Sequence, residues 1–263
     1  MSPIVSHRMR PALLLAGLLG ILALAVAGCG GSSSSAGTQA IRTSAPDYGT
    51  LIDQPVPASI QRMPFVNQHG EKLDLASMKG KTVVLVPFLT LCADICPLTT
   101  GILSQVERAL KADHYDSNVE IVELTVDPHR DSPARLAAYA KLTHAGWQLV
   151  RADPQDLSKM AKFFGFSYGK VPEDKPPSID WWTGKPLTYD IEHSDNYFVI
   201  DSSGNERVVE EASPDYQGKL PPKLQEFLTA EGIKHQKHPA HPDWTDKDVL
   251  EAIEHTAGVK LSA

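Results

Sequence analysis

Cysteine is scarce in this chain: three residues in 263, at positions 29, 92 and 96. Three thiols exclude a small disulfide-built scaffold and a four-thiolate zinc site. Basic charge is also in short supply. The 25 Lys and Arg face 32 Asp and Glu, a formal net charge of −7. Arg8 and Arg10 lie in the first 28 residues, which hold no acid, so 25 less two leaves 23 basic side chains against 32 acids beyond that stretch. Such a balance opposes non-specific nucleic-acid binding, and no nucleic-acid partner is expected. No internal repeat is present. The apolar run Ala12–Ala27 counts 16 residues, short of the roughly 20 that span a bilayer. An apolar fraction of 42% suffices for a packed core and excludes general disorder.

The N-terminus reads as a targeting segment. Arg8 and Arg10 precede the apolar run, and small residues follow it in Val26-Ala27-Gly28-Cys29. That order indicates an export signal. A cysteine directly after the small residues resembles a bacterial lipobox, which implies cleavage before Cys29 and its lipidation. Several acyl chains on one cysteine anchor stably, whereas a single chain binds only marginally. The expected location is the cell membrane of a bacterium, lipid-anchored on the extracytoplasmic face. Residues 1–28 are thus expected to be a lipoprotein signal peptide. Residues 29–62 are expected to be a flexible tether and lead-in, because they open on Gly30-Gly31 and Ser32 to Ser35 and stay rich in Pro, Thr and Ser. The folded domain is expected over 63–232, with a C-terminal extension over 233–263.

Within the folded part, strands alternate with helices. Phe65–Asn67 and Lys72–Leu75 flank a turn and form a hairpin. Thr82–Leu89 is a β-branched run suited to a central strand covered on both faces. Leu98–Leu110 has helical spacing, and Val119–Val126 is a second strand. Ser132 as N-cap and Pro133 at N1 open a helix to Leu142. A strand at Trp147–Val150, a helix over Asp156–Phe164, a hairpin around Gly204 and a helix near Lys223–Ala230 follow. This order predicts an α/β layer fold, a thioredoxin-like sheet with an N-terminal β-hairpin addition and a C-terminal extension. A flavodoxin-like sheet competes, but the late hairpin stands where a doubly wound sheet needs another crossover.

The chemistry concentrates in Leu91-Cys92-Ala93-Asp94-Ile95-Cys96-Pro97, between the central strand and the first long helix. Thiols four residues apart on a helical turn sit about 6 Å apart along the axis. That falls within the roughly 4.4–6.8 Å that a disulfide accepts, and a looser turn suits one soft metal ion. A nearby helix N-terminus favours thiolate, and Asp94 opposes it. A purely structural disulfide remains open here, although so short a loop removes little chain entropy.

Three stretches resemble the Sco/SenC family, copper-handling relatives of thioredoxin. They are Phe88 to Pro97 with its Cys-x-x-x-Cys-Pro, Asp127-Pro128-His129-Arg130-Asp131-Ser132-Pro133, and His193-Ser194 leading into Tyr197–Asp201 and Gly204. The resemblance runs from about Phe65 to Val209. It implies that Cys92, Cys96 and His193 bind copper, and that the client is the copper-bearing subunit of a haem–copper respiratory oxidase. Other copper or thiol–disulfide exchange proteins are further partners on this reading. Two thiolates and an imidazole are soft-to-borderline ligands that suit Cu(I), and with Cu(II) the set is neutral. A carrier of this kind is not strictly an enzyme. Two departures stand out. Ala93 occupies a position where many relatives carry Pro, and Lys170–Tyr189 is a long polar insertion with Trp181 and Trp182, readable as a lid or as a solvated loop.

A thiol–disulfide oxidoreductase using the Cys92/Cys96 dithiol is the main alternative. A peroxiredoxin fails on the spacing of Thr90 to Cys92, and zinc lacks an evident fourth ligand unless Asp94 serves. His235, His238 and His241 tempt a second metal reading, but Pro239 and Pro242 interrupt a helix there, which favours a solvated linker.

Overall fold

The computed structural model describes residues 46–262. The expected signal peptide, Cys29 and the first half of the expected tether lie outside them. In chain order the elements begin with β1 (Thr50–Pro55), α1 (Ala58–Gln61), β2 (Phe65–Asn67), β3 (Lys72–Leu73), β4 (Thr82–Phe88) and α2 (Cys96–Ala112). Then come β5 (Val119–Thr125), α3 (Pro133–Thr143), β6 (Gln148–Ala152), α4 (Pro154–Phe164), β7 (Tyr168–Val171) and β8 (Asp190–His193). The chain continues through β9 (Tyr197–Ile200), β10 (Asn205–Glu210), β11 (Ser213–Pro214), α5 (Pro222–Phe227), α6 (Ala230–Lys237), β12 (Asp243–Trp244) and α7 (Asp246–Ala257).

Eight strands form one sheet in the order β1-β10-β9-β4-β5-β6-β2-β3. All seven residues of β4 are buried, as its unbroken apolar run requires. It pairs in parallel with β5 and antiparallel with β9, and β10 continues the sheet antiparallel to β9. A parallel β4–α2–β5 unit beside a late antiparallel hairpin is the thioredoxin-like arrangement. The β2–β3 hairpin adds to its far edge through β6. Local signals place the helices. Ser132 accepts from the Arg135 N–H with Pro133 behind it, and Asp153 caps α4 in the same way.

The lead-in reaches further into the fold than its composition indicates. β1 pairs with β10 as an edge strand, and Val56 and Ile60 join the core. The C-terminal segment is likewise packed rather than appended. α7 lies against α2, β4 and β9, and Trp244, Ala252 and Ile253 are fully buried. Its apolar positions 249, 250, 252 and 253 form the inward stripe that holds it there. Among the described residues, no helix is long and apolar enough to cross a membrane.

The 170–189 insertion is fastened at both ends and in the middle. β7 and β8 pair antiparallel at its base. Asp180 forms a bidentate ion pair with Arg135, at 2.9 and 2.7 Å. Trp181 is partly buried against the core, whereas Trp182 is 44% exposed.

Candidate metal centre

The site forms where β4 ends. The chain leaves the strand at Phe88, turns through Leu89–Ile95 and enters α2 at Cys96. The two thiols therefore do not share a helical turn. Cys92 lies in the loop and Cys96 is the first helical residue. The Cys96 N–H, one of the helix's otherwise unpaired N-terminal donors, points at Cys92 Sγ at 3.3 Å. That contact and the helix dipole both favour a thiolate at Cys92. Both thiols are free.

His193 arrives from the opposite side, at the end of β8. Its Nδ1 lies 3.0 Å from the Ser194 carbonyl. A carbonyl only accepts, so Nδ1 carries the proton in the neutral ring and Nε2 is left as the ligand atom. Nε2 lies 3.4 Å from Cys96 Sγ. The three ligand atoms all fall within 4.8 Å of one another. Ligands bound to one ion at roughly 2.0–2.3 Å are at most about 4.6 Å apart, so the set is close to the geometry of a single ion.

The Asp127–Asp131 segment links both halves of the site. Asp131 is fully buried and accepts from the Thr90 N–H at 3.1 Å, from Thr90 Oγ1 at 2.5 Å and from Thr125 Oγ1 at 2.5 Å. It thereby fixes the exit from β4 that leads to Cys92. Burial pushes its carboxyl up, and these donors pull it back part of the way. Asp127 pairs with Arg130. Arg130 donates to the Tyr189 carbonyl at 2.7 Å and stacks on the Tyr189 ring at 3.9 Å. That holds the residue just before β8, and so the strand that carries His193. Trp181 Nε1 adds a 2.7 Å bond to the Thr90 carbonyl.

The electrostatics divide the two sulfurs. The Cys96 hydrogen bond pulls the Cys92 thiol well below its ordinary value; burial opposes this, and His193 reinforces it. Burial pushes Cys96 well above its ordinary value, with the hydrogen bond and charge of Cys92 adding to it. Burial disfavours the charged ring of His193, but the bond and charge of Cys92 outweigh it and raise the imidazole. The shifts run toward the thiolate at Cys92 and toward the protonated forms at Cys96 and His193. Binding a metal through all three ligands must release those protons.

A cavity of about 430 Å³ opens over Cys92 and His193. Asp94, Glu173, Asp190 and Asp195 line it, together with His235. Burial raises Asp195 to about 6, with His193 lowering it and Cys92 raising it. Of these, the sequence pattern singles out Asp94 and His235, and Asp94 turns to His235 rather than joining the three candidate ligands. His235 is correspondingly not in a solvated linker; it sits on α6 against the Cys92–Cys96 loop. His241 is exposed and pairs with Asp243.

Fold and site together define a thioredoxin-like protein with a Cys₂His constellation at the strand-to-helix turn that could hold a metal ion. The SCO1/SenC family profile matches residues 55–217, and the chain belongs to that family. It is 26% identical over 160 residues to the SCO1 protein homolog of Bacillus subtilis, covering 59% of this chain and 75% of that protein. A candidate copper-binding protein of Stutzerimonas stutzeri is 25% identical over 167 residues, covering 61% of this chain and 76% of the relative. Among solved structures, Bradyrhizobium japonicum ScoI with copper bound superposes with a TM-score of 0.48 at 21% identity, over 66% of this chain and 97% of that one.

Proposed function

We propose that this protein binds copper through Cys92, Cys96 and His193 and takes part in cytochrome c oxidase assembly, carrying the ion as cargo to the copper-bearing subunit of a haem–copper oxidase. The observation that carries the reading is the convergence of two sulfurs and a correctly tautomerised imidazole within 4.8 Å. Two soft donors with one borderline nitrogen favour copper over harder cations. Asp94 is engaged with His235, and among the described residues no fourth protein ligand joins the three to complete a tetrahedral zinc site. The S. stutzeri relative's name points the same way. The test is titration of the reduced, copper-free protein with Cu(I) under a competing chelator. One copper per chain with loss of both free thiols is expected. Absence of binding at micromolar copper would leave the dithiol oxidoreductase as the better reading. That second reading rests on the lowered Cys92 thiol, suited to attack a partner's disulfide, with Cys96 then displacing the partner and closing the Cys92–Cys96 disulfide.

The same proposal places the folded body, from the β1 edge onwards, outside the cytoplasmic membrane on a tether that starts at a lipidated Cys29. Cys29→Ser is expected to leave an unprocessed precursor without acyl chains. Intact-mass measurement decides it: a mature chain that begins elsewhere, with residue 29 absent or unmodified, would remove the anchor.

A further inference from the structure

The family match ends at residue 217, yet the chain beyond it returns to the loop between the two thiols. Thr229 caps α6, accepting from the Gly232 N–H at 3.3 Å. The same residue donates its backbone N–H to the Ala93 carbonyl at 2.8 Å and its Oγ1 hydroxyl to that oxygen at 3.2 Å. Three residues on, Gly232 lies so close that a Cβ there would stand 2.8 Å from the Ala93 oxygen and 3.0 Å from Asp94 Cα. Any side chain at 232 forces the helix away from the loop. Three residues further, His235 Nδ1 meets Asp94 Oδ1 at 2.6 Å. Its Nε2 faces Glu231 Oε1 at 3.7 Å, so the ring stands between two carboxylates. Positions 229, 232 and 235 follow one face of α6. The contacts that reach the loop fall on Ala93 and Asp94, between Cys92 and Cys96.

We propose that residues 229–235 form a clasp that holds the Cys92–Cys96 loop in its metal-ready shape, with His235 a positioning residue that acts through Asp94 and is not itself a ligand. The idea rests on the copper reading for its purpose, but the clasp is a property of the copper-free chain as well. A loop held in one shape loses less freedom when it closes on an ion. If the clasp opens, only a fraction of chains remains competent, and apparent affinity falls by that fraction.

The test uses the full chain with His235→Ala, His235→Gln and Gly232→Ala. Three measurements are made: hydrogen exchange of the 92–96 amides and alkylation of Cys92 in the reduced, copper-free protein, and copper loss to a chelator. His235→Ala is expected to speed exchange in the loop, raise Cys92 alkylation several-fold and accelerate copper loss about tenfold. Exchange in α7 stays unchanged. His235→Gln, which keeps an N–H donor for Asp94, is expected to restore most of each effect, and Gly232→Ala to reproduce the opening by steric means. If both alanine variants keep wild-type loop exchange and copper release, there is no clasp. If His235→Gln fails as badly as His235→Ala and the copper ligand spectrum changes, His235 is a ligand and the positioning role falls. A wild-type chain that binds no copper defeats the copper reading alone, because exchange and alkylation still decide the clasp.

Discussion

Cys92→Ser and Cys96→Ser are each expected to abolish copper binding, and His193→Ala to weaken it by about tenfold or more, the scale that even outer-sphere metal partners reach. Each sulfur is one of only two. A serine hydroxyl keeps its proton at neutral pH and offers a hard oxygen in place of a soft thiolate. His193 is different in kind, because two thiolates alone still hold Cu(I) in a low-coordinate geometry. Its removal therefore reduces affinity without eliminating it, and the larger loss falls on Cu(II), which prefers more nitrogen and oxygen donors. There is a second consequence. His193 helps lower the Cys92 thiol, though less than Cys96 does. His193→Ala should raise the Cys92 pKa modestly and slow its alkylation near neutral pH, while leaving both sulfurs of the dithiol able to form and break a disulfide. Chelator-competition titrations give the affinities, and absorption and X-ray spectroscopy report the nitrogen ligand. A His193→Ala protein with wild-type affinity and an unchanged ligand spectrum would remove His193 from the set, and the oxidoreductase reading would lead.

The candidate ligands are legible because their signals are local. A buried β-branched run, a Cys-x-x-x-Cys-Pro turn and a His-Ser before an aromatic strand are each written in a few consecutive residues. Ser132 and Pro133 announced α3 for the same reason. What escaped depends on partners far along the chain. Thr50–Pro55 is poor in the periodicity of a strand, and it becomes one because β10 offers an open edge 150 or so residues later. The Pro residues at 239 and 242 do not prevent helix formation; they only stop α6 at Lys237, two residues after His235 has reached Asp94. The Asp127–Asp131 motif was visible as a pattern. Its role, tying the cysteine loop to the histidine strand through Thr90 and Tyr189, appears only once the sheet brings those segments together.

Asp180→Ala is expected to destabilise the protein by about 3 kcal/mol, the range found when one member of a buried ion pair is removed. The side chains of Arg135 and Asp180 are 5% and 9% exposed, and their bidentate contact satisfies both carboxylate oxygens. Asp180 also accepts from the Trp182 and Thr183 N–H groups at 2.9 and 3.2 Å. Burial pushes its carboxyl up, but Arg135 and these amides prevail and hold it well below the usual carboxylate range. A depressed folded pKa gives stability that is present above the unfolded carboxylate value, about 3.9, and is lost as pH falls through the folded value. The wild-type protein should therefore keep this contribution down to about pH 4, and Asp180→Ala should lack it at every pH above that. The substitution leaves the Arg135 guanidinium buried under Trp182, 5.0 Å from the ring centroid, without a counter-charge. It also loosens Trp181, whose bond to the Thr90 carbonyl steadies the approach to Cys92. Faster exchange of the 173–189 amides should thus accompany the loss measured by denaturant unfolding at pH 7. Replacing both partners with leucine is expected to recover most of the stability, since no unpaired charge remains. If Asp180→Ala unfolded at the wild-type denaturant midpoint with wild-type exchange across the insertion, this ion pair would not be what fastens the segment beside the metal centre.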